Sequence, residues 1–102
     1  MREYKILIVD DDSDAISFMI ESLEQSSPNY VFFHAINGIA GIEAAQKHLP
    51  DLILTDWQMP GLSGIDTIKR LKEIESTKDI PIIMVTGVMI SSNDLAEALD
   101  AG

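Results

Sequence analysis

Three aspartates stand in succession at Asp10, Asp11 and Asp12, a fourth acid is Asp56, and a hydroxyl is offered by Thr86. Each of these positions follows a short apolar run. Two carboxylates about 5 Å apart at an effective dielectric near 20 repel by roughly 3 kcal/mol, so acids brought that close must hold a proton, a cation or both. A hard divalent cation is the natural partner. Magnesium is usually held by one or two carboxylates together with water and phosphate oxygens, which suits a site this poor in protein ligands. A carboxylate beside a metal is also a competent nucleophile towards phosphorus, and a nearby hydroxyl such as Thr86 can hydrogen-bond incoming phosphoryl oxygens.

These residues depend on elements that bring distant positions together. Tyr4 to Val9 is a β-branched apolar run without polar alternation, the pattern of a strand covered on both faces. From Asp14 to Gln25, Ile16, Met19, Ile20 and Leu23 fall at helical spacing, with Asp12 or Ser13 as N-cap and Ser26-Ser27-Pro28-Asn29 as the stop. The cycle repeats with a strand over Tyr30 to Ile36, a turn at Asn37-Gly38, and a helix marked by Ile39, Ile42, Ala45 and Leu49 and ended by Pro50. Leu52 to Thr55 is a third strand. Gly61-Leu62-Ser63-Gly64 leads into a helix carrying Ile65, Ile68, Leu71 and Ile74, and Ile82 to Val85 is a fourth strand. Ser91 or Ser92 caps a last helix with Leu95 and Leu99. Strands alternating with helices at this period predict a doubly wound α/β fold with a parallel sheet. Ligands of such sheets bind at the carboxyl ends of the strands, where Asp10, Asp11, Asp56 and Thr86 all fall; adjacent first and third strands would bring Asp11 to Asp56.

Plainer readings exist. Asp10 to Asp12 could be a solvated loop doubling as a helix cap, Asp56 a strand-end turn residue, and Thr86 a β-former; their joint placement argues otherwise. Asp10, Asp12, Asp14 and Glu21 match positions 1, 3, 5 and 12 of a calcium-binding EF-hand loop, but Ala15 stands where glycine is needed and a strand precedes the loop. His34 is expected within a strand and His48 on a polar helix face, neither with a partner. Trp57 reads as a partly exposed packing residue, and Met59 as packing under the site loop.

Composition bounds the function. A chain of 102 residues, 46% apolar and 24% charged, is one ordinary domain able to bury a core without staples. With no cysteine, disulfides, thiolate zinc sites and cysteine nucleophiles are excluded. Seven basic against seventeen acidic residues give a net charge of −10, and the basic residues do not cluster, which argues against direct binding to nucleic acid or an anionic membrane. No apolar run is long enough for a signal-peptide core or a membrane span, and a cytoplasmic location is expected.

The segments ILIVDDD, NGIAGIEAAQKHLPDLILTDWQMPGLSG and PIIMVTG, followed by a helix ending DAG, resemble the receiver domains of two-component response regulators in order and spacing over nearly the whole chain. The resemblance implies a flavodoxin-like strand order 2-1-3-4, with magnesium as cofactor. It makes Asp56 the acceptor of a phosphoryl group from a sensor histidine kinase or phosphotransfer protein. Asp11 becomes a direct metal ligand, Asp10 a ligand through water, Asp56 a further metal ligand and Gln58 the donor of a backbone carbonyl; Thr86 becomes the switch hydroxyl, and Gly87 leaves the phosphoryl route open. Such a module assists its own phosphorylation and dephosphorylation and is not a turnover enzyme. It passes its state to an output domain or protein. A magnesium-dependent hydrolase with an aspartate nucleophile is disfavoured, since its DxDxT/V motif needs Thr or Val where Asp14 stands.

The family pattern continues past Gly102 into a fifth strand ending in a lysine that pairs with the phosphoryl group, and a fifth helix, roughly 20 residues in all. Lys69, Lys72 and Lys78 do not sit at a strand end and do not replace that lysine. Residues 1–102 are therefore expected to be a single receiver-like domain, incomplete at the C-terminus, with Ile82 to Val85 as an exposed sheet edge through which copies self-associate. The alternative function is an interaction or dimerisation module that does not switch.

Overall fold

The structure, a computed structural model, describes residues 3–25, 29–56 and 59–85. In chain order the elements are β1 (Tyr4–Val9), α1 (Ser13–Glu24), β2 (Tyr30–Ala35), α2 (Gly38–His48), β3 (Leu52–Asp56), α3 (Gly64–Glu73) and β4 (Ile82–Val85). All strand pairs are parallel and their order is β2-β1-β3-β4. The predicted fourth helix lies outside the described residues.

Both faces of the central strands are buried, and the reason is visible in their period of two. Ile6, Ile8, Leu52 and Leu54 pack on one face with Ile16, Met19 and Leu23 of α1, whereas Leu7, Val9 and Ile53 pack on the other with Ala45 of α2, Leu71 of α3 and Met59. The unalternating sequences of β1 and β3 are thus the signature of a sheet covered twice. β4 is less covered than β1 and β3: its Ile82, Ile83 and Met84 are half-buried and only Val85 is buried. Among the described residues β4 has a neighbour on one side only.

Each helix begins on a side-chain cap. The Asp12 carboxylate accepts from Asp14 N at 2.9 Å, the Asn37 side chain from Ala40 N at 2.8 Å and the Ser63 hydroxyl from Asp66 N at 3.2 Å. α2 closes at Leu49, whose N–H reaches Ala45 O while its φ of 47° places it in the left-handed region, ahead of the buried Pro50.

The buried stripe of α2 departs from its apolar pattern. Ile39 and Leu49 are 49% and 52% exposed, and the residues facing inward are Gly38, Gly41 and Ala45. Small residues let the helix settle close to its neighbours: a Cβ at Gly41 would lie 2.8 Å from Val9 Cγ2, and one at Gly38 would collide with Thr67 Oγ1. In α3 the same substitution of faces occurs, with Gly64, Thr67 and Leu71 buried while Ile65 is exposed. β2 ends at Ala35, one residue short of the expected Ile36, which is exposed. His34 lies within β2 as expected, and it is exposed there. His48, expected to lack a partner, stacks on Phe33 with ring centroids 4.0 Å apart. Among the described residues no helix is long and apolar enough to cross a membrane.

Candidate functional site

The register of the sheet assembles the acids. Val9 pairs with Ala35 on one side and Thr55 on the other, so the next residues, Asp10 and Asp56, emerge level with one another at the carboxyl end of the sheet. Asp56 itself pairs with Val85, the last residue of β4. One carboxylate oxygen from each of Asp10, Asp11 and Asp56 lies within 4.8 Å of the others. This is the arrangement expected of strand-end residues in a doubly wound sheet.

The three acids occupy different environments. Asp10 is buried, its N–H continues the ladder to Ala35 O at 3.0 Å, and its Oδ1 accepts Asp12 N–H at 2.9 Å. Asp11 is exposed and Asp56 is half-buried, with the backbone carbonyl of Asp56 accepting the buried Thr55 hydroxyl at 3.3 Å. Burial pushes the Asp10 carboxyl above its ordinary range; the Asp12 N–H opposes this, while the negative charges of Asp56, Asp11 and Asp12 reinforce it. An acid destabilised in its charged form by burial and by like charges calls for a proton or a cation. Three hard carboxylate oxygens, with one face open to water at Asp11, match the donor set that magnesium takes.

Of the residues singled out from the sequence, the structure brings Asp10, Asp11 and Asp56 together. Asp12 turns its side chain into the α1 cap, and neither it nor Asp14 or Glu21 joins the cluster, so the calcium-loop reading finds no support in the geometry. The histidines stand apart from the cluster as well. Met59 is buried in the core with Leu7, Val9 and Ile53. Trp57, Gln58, Thr86 and Gly87 lie outside the described residues. Reading types and spacing alone missed the roles of Ala35, whose carbonyl fixes the Asp10 backbone, and of the Asp12 N–H, which orients the Asp10 carboxylate. Main-chain groups carry no signal in side-chain chemistry.

Residues 6–102 match the family model described as the response regulator receiver domain. The chain is 39% identical over 97 residues to the phosphate regulon transcriptional regulatory protein PhoB of Pseudomonas aeruginosa, covering 95% of this chain and 41% of that protein. It is 32% identical over 89 residues to the polar-differentiation response regulator DivK of Brucella anthropi, covering 87% of this chain and 71% of that one. Among solved structures, the N-terminal domain of a response regulator receiver protein from Methanoculleus marisnigri superposes with a TM-score of 0.77 at 31% identity, over 94% of this chain and 78% of that chain. The chain thus spans less than half the length of the PhoB relative. By sequence, strand order and helix placement together, this chain belongs to the receiver domain family of response regulators.

Proposed function

We propose that this chain is a magnesium-dependent phosphoacceptor, in which Asp56 takes a phosphoryl group from the phosphohistidine of a sensor histidine kinase or phosphotransfer protein. Receiver domains serve two-component signalling and are not turnover enzymes of the usual kind. The observation that carries the reading is the convergence of Asp10, Asp11 and Asp56 within 4.8 Å at the end of a receiver-type sheet. Asp56 is the acid at the end of β3, and Asp10 and Asp11 supply the negative charge that holds a divalent cation beside it. Bound there, magnesium offsets the charge on the carboxylates and on the phosphoryl oxygens.

The chain's own part is nucleophilic. A carboxylate oxygen of Asp56 forms a bond to phosphorus as the donor's N–P bond breaks, and the donor histidine leaves as a neutral imidazole after taking a proton. Asp10 is held in place beside Asp56 by its own N–H on the Ala35 carbonyl and by the Asp12 N–H on its carboxylate. Asp11 would hold the metal directly and Asp10 would act through water. Gln58 adds a backbone carbonyl, the Thr86 hydroxyl binds a phosphoryl oxygen, and Gly87 leaves its approach clear. The 102 residues act as one receiver unit in the cytoplasm, passing the change to an output domain or protein. Direct binding to nucleic acid is not part of the proposal, since the net charge is −10.

Phosphorylation by a small donor such as acetyl phosphate, with and without magnesium, tests the proposal. Label sensitive to hydroxylamine and alkali, dependent on magnesium and absent from Asp56→Asn, is the expected result. Label that persists in Asp56→Asn overturns the assignment of the acceptor. A chain that takes no label would instead be an interaction or dimerisation module.

A further inference from the structure

The start of α3 also closes the segment that leads away from Asp56. Met59 is buried with Leu7, Val9 and Ile53, Gly61 turns the chain at a φ of 82°, and the Ser63 hydroxyl caps α3 by accepting Asp66 N at 3.2 Å. Five residues, Met59 to Ser63, therefore join a core anchor to a helix start, and Pro60 among them has its φ fixed by its ring. Thr67 fastens the far end. Its N–H and its hydroxyl both donate to Ser63 O, at 2.9 and 2.8 Å, and the residue is wholly buried. A hydroxyl bonding back to the carbonyl four residues earlier is ordinary in a helix. Thr67 is set apart by what lies against it. A Cβ at Gly38, the first residue of α2, would collide with Thr67 Oγ1 and come within 3.0 Å of Leu62 Cβ, so α2, α3 and the end of the segment meet without slack.

We infer that Thr67 is a positioning residue for the magnesium site, holding the segment between Asp56 and α3 at the setting in which Gln58 offers its carbonyl. The inference rests on the phosphoacceptor reading above, in which Gln58 is that donor. Thr67→Val keeps the size of the side chain but puts a methyl group where the hydroxyl stood, and a methyl cannot approach Ser63 O as closely as 2.8 Å. Gly38 leaves no room for the methyl to retreat towards α2. The strain is therefore relieved at Ser63 and Leu62, and a five-residue segment anchored at Met59 passes the shift towards the chain beside Asp56. Magnesium demands near-ideal octahedral geometry, so its affinity registers a small displacement of a ligand.

Titration with magnesium chloride, followed by Trp57 fluorescence and paired with thermal melts of the metal-free chain, is the test. Thr67→Val should raise the magnesium Kd by about tenfold, the low end of what changes behind a metal ligand cost. Thr67→Ser loses a buried methyl but keeps the hydroxyl, so it should melt below wild type and yet bind magnesium as wild type does. Thr77→Val removes another buried hydroxyl, the one that bonds Leu71 O at 2.7 Å near the opposite end of α3, and should lower the melting temperature without changing the Kd. Gly38→Ala presses on the junction from α2 and should weaken magnesium binding in the same direction as Thr67→Val, which gives a second reading if the valine variant does not fold. A Kd that follows melting temperature across these variants makes Thr67 merely structural and overturns the proposal, as does a wild-type Kd in Thr67→Val or in Gly38→Ala. A wild-type chain that binds no magnesium overturns the phosphoacceptor reading and this inference together, whereas magnesium binding indifferent to Thr67 overturns the inference alone.

Discussion

Replacing Asp10 by Asn should make the metal-free protein more stable at neutral pH. The amide keeps the shape of the side chain and an oxygen that can accept the Asp12 N–H, now at 2.9 Å, while removing a buried negative charge. Two other carboxylate oxygens lie within 4.8 Å of that charge. At this distance each pair repels by about 3.5 kcal/mol at an effective dielectric of 20 and by about 0.9 kcal/mol in bulk water. Asp11 is open to solvent, so the lower figure governs its share, and Asp56 falls between the two; the expected gain is about 2–4 kcal/mol. For a domain of this size each kcal/mol raises Tm by roughly 4–8 °C. The pH dependence has a definite sign. Burial and neighbouring charge raise the Asp10 pKa above its ordinary 3.8, so the folded state binds its proton more tightly than the unfolded chain does. Wild-type stability from this group therefore falls as pH rises from 3.8 through the folded-state value and stays low above it. The gap between variant and wild type should be absent below pH 3.8, open through that window and level off above it. Magnesium should narrow the gap, since at ten times its wild-type Kd it stabilises the wild type by about 1.4 kcal/mol and the variant, which has lost one of the site's negative charges, by less. Urea unfolding across pH, with and without magnesium, gives all of these quantities. An Asn variant less stable than wild type at pH 7, or a gap unchanged by pH, would refute the electrostatic account.

Three further outcomes are expected. Asp11→Ala should raise the magnesium Kd, itself in the millimolar range, by about tenfold or more, followed by Trp57 fluorescence; Asp12→Ala should leave it nearly unchanged while costing about 1 kcal/mol of stability through loss of the α1 cap. Equal titrations in the two variants would contradict the ligand assignment. Thr86→Ala should bind magnesium normally yet fail to couple beryllofluoride binding to any change in amide exchange elsewhere in the chain, and a wild-type exchange response would remove Thr86 from the switch. Gly38→Ala should cost about 1–3 kcal/mol, because its Cβ meets Thr67 Oγ1 and comes within 3.0 Å of Leu62 Cβ. Thermal melts should show the Gly38→Ala, Thr67→Ala pair to be less damaging than the two single changes summed.

Strand positions and the acid cluster were legible because both follow from composition at strand ends. A run such as Ile6 to Val9 can satisfy its side chains only between two layers, and the residue that follows it must surface where neighbouring strands also end. The facing of α2 was not legible in this way. Hydropathy gives weight to Ile39 and Leu49, but the helix is seated by how closely its backbone can approach Val9 and Thr67, and glycine has no hydropathic voice in that choice. Ile65 of α3 misled as well, since the buried positions of that helix are Gly64, Thr67 and Leu71. The pairing of His48 with Phe33 depends on two elements meeting at their ends, which no local pattern records. The orientation of Asp10 by main-chain partners at Asp12 and Ala35 was equally silent.

Between the last ladder position of β1 and the first turn of α1 stand three residues, and every one is spoken for: Asp10 inward, Asp11 outward, Asp12 across the helix end. The tract therefore acts as a ruler. Losing one residue would force a single aspartate to be both buried acid and cap, and gaining one would lift the cap away from the amides of Asp14 and Ala15. Like-shaped replacements can pass here, but a change of length cannot. In a library of single-codon insertions and deletions selected for folded, metal-responsive protein, residues 10–12 should appear as a blank.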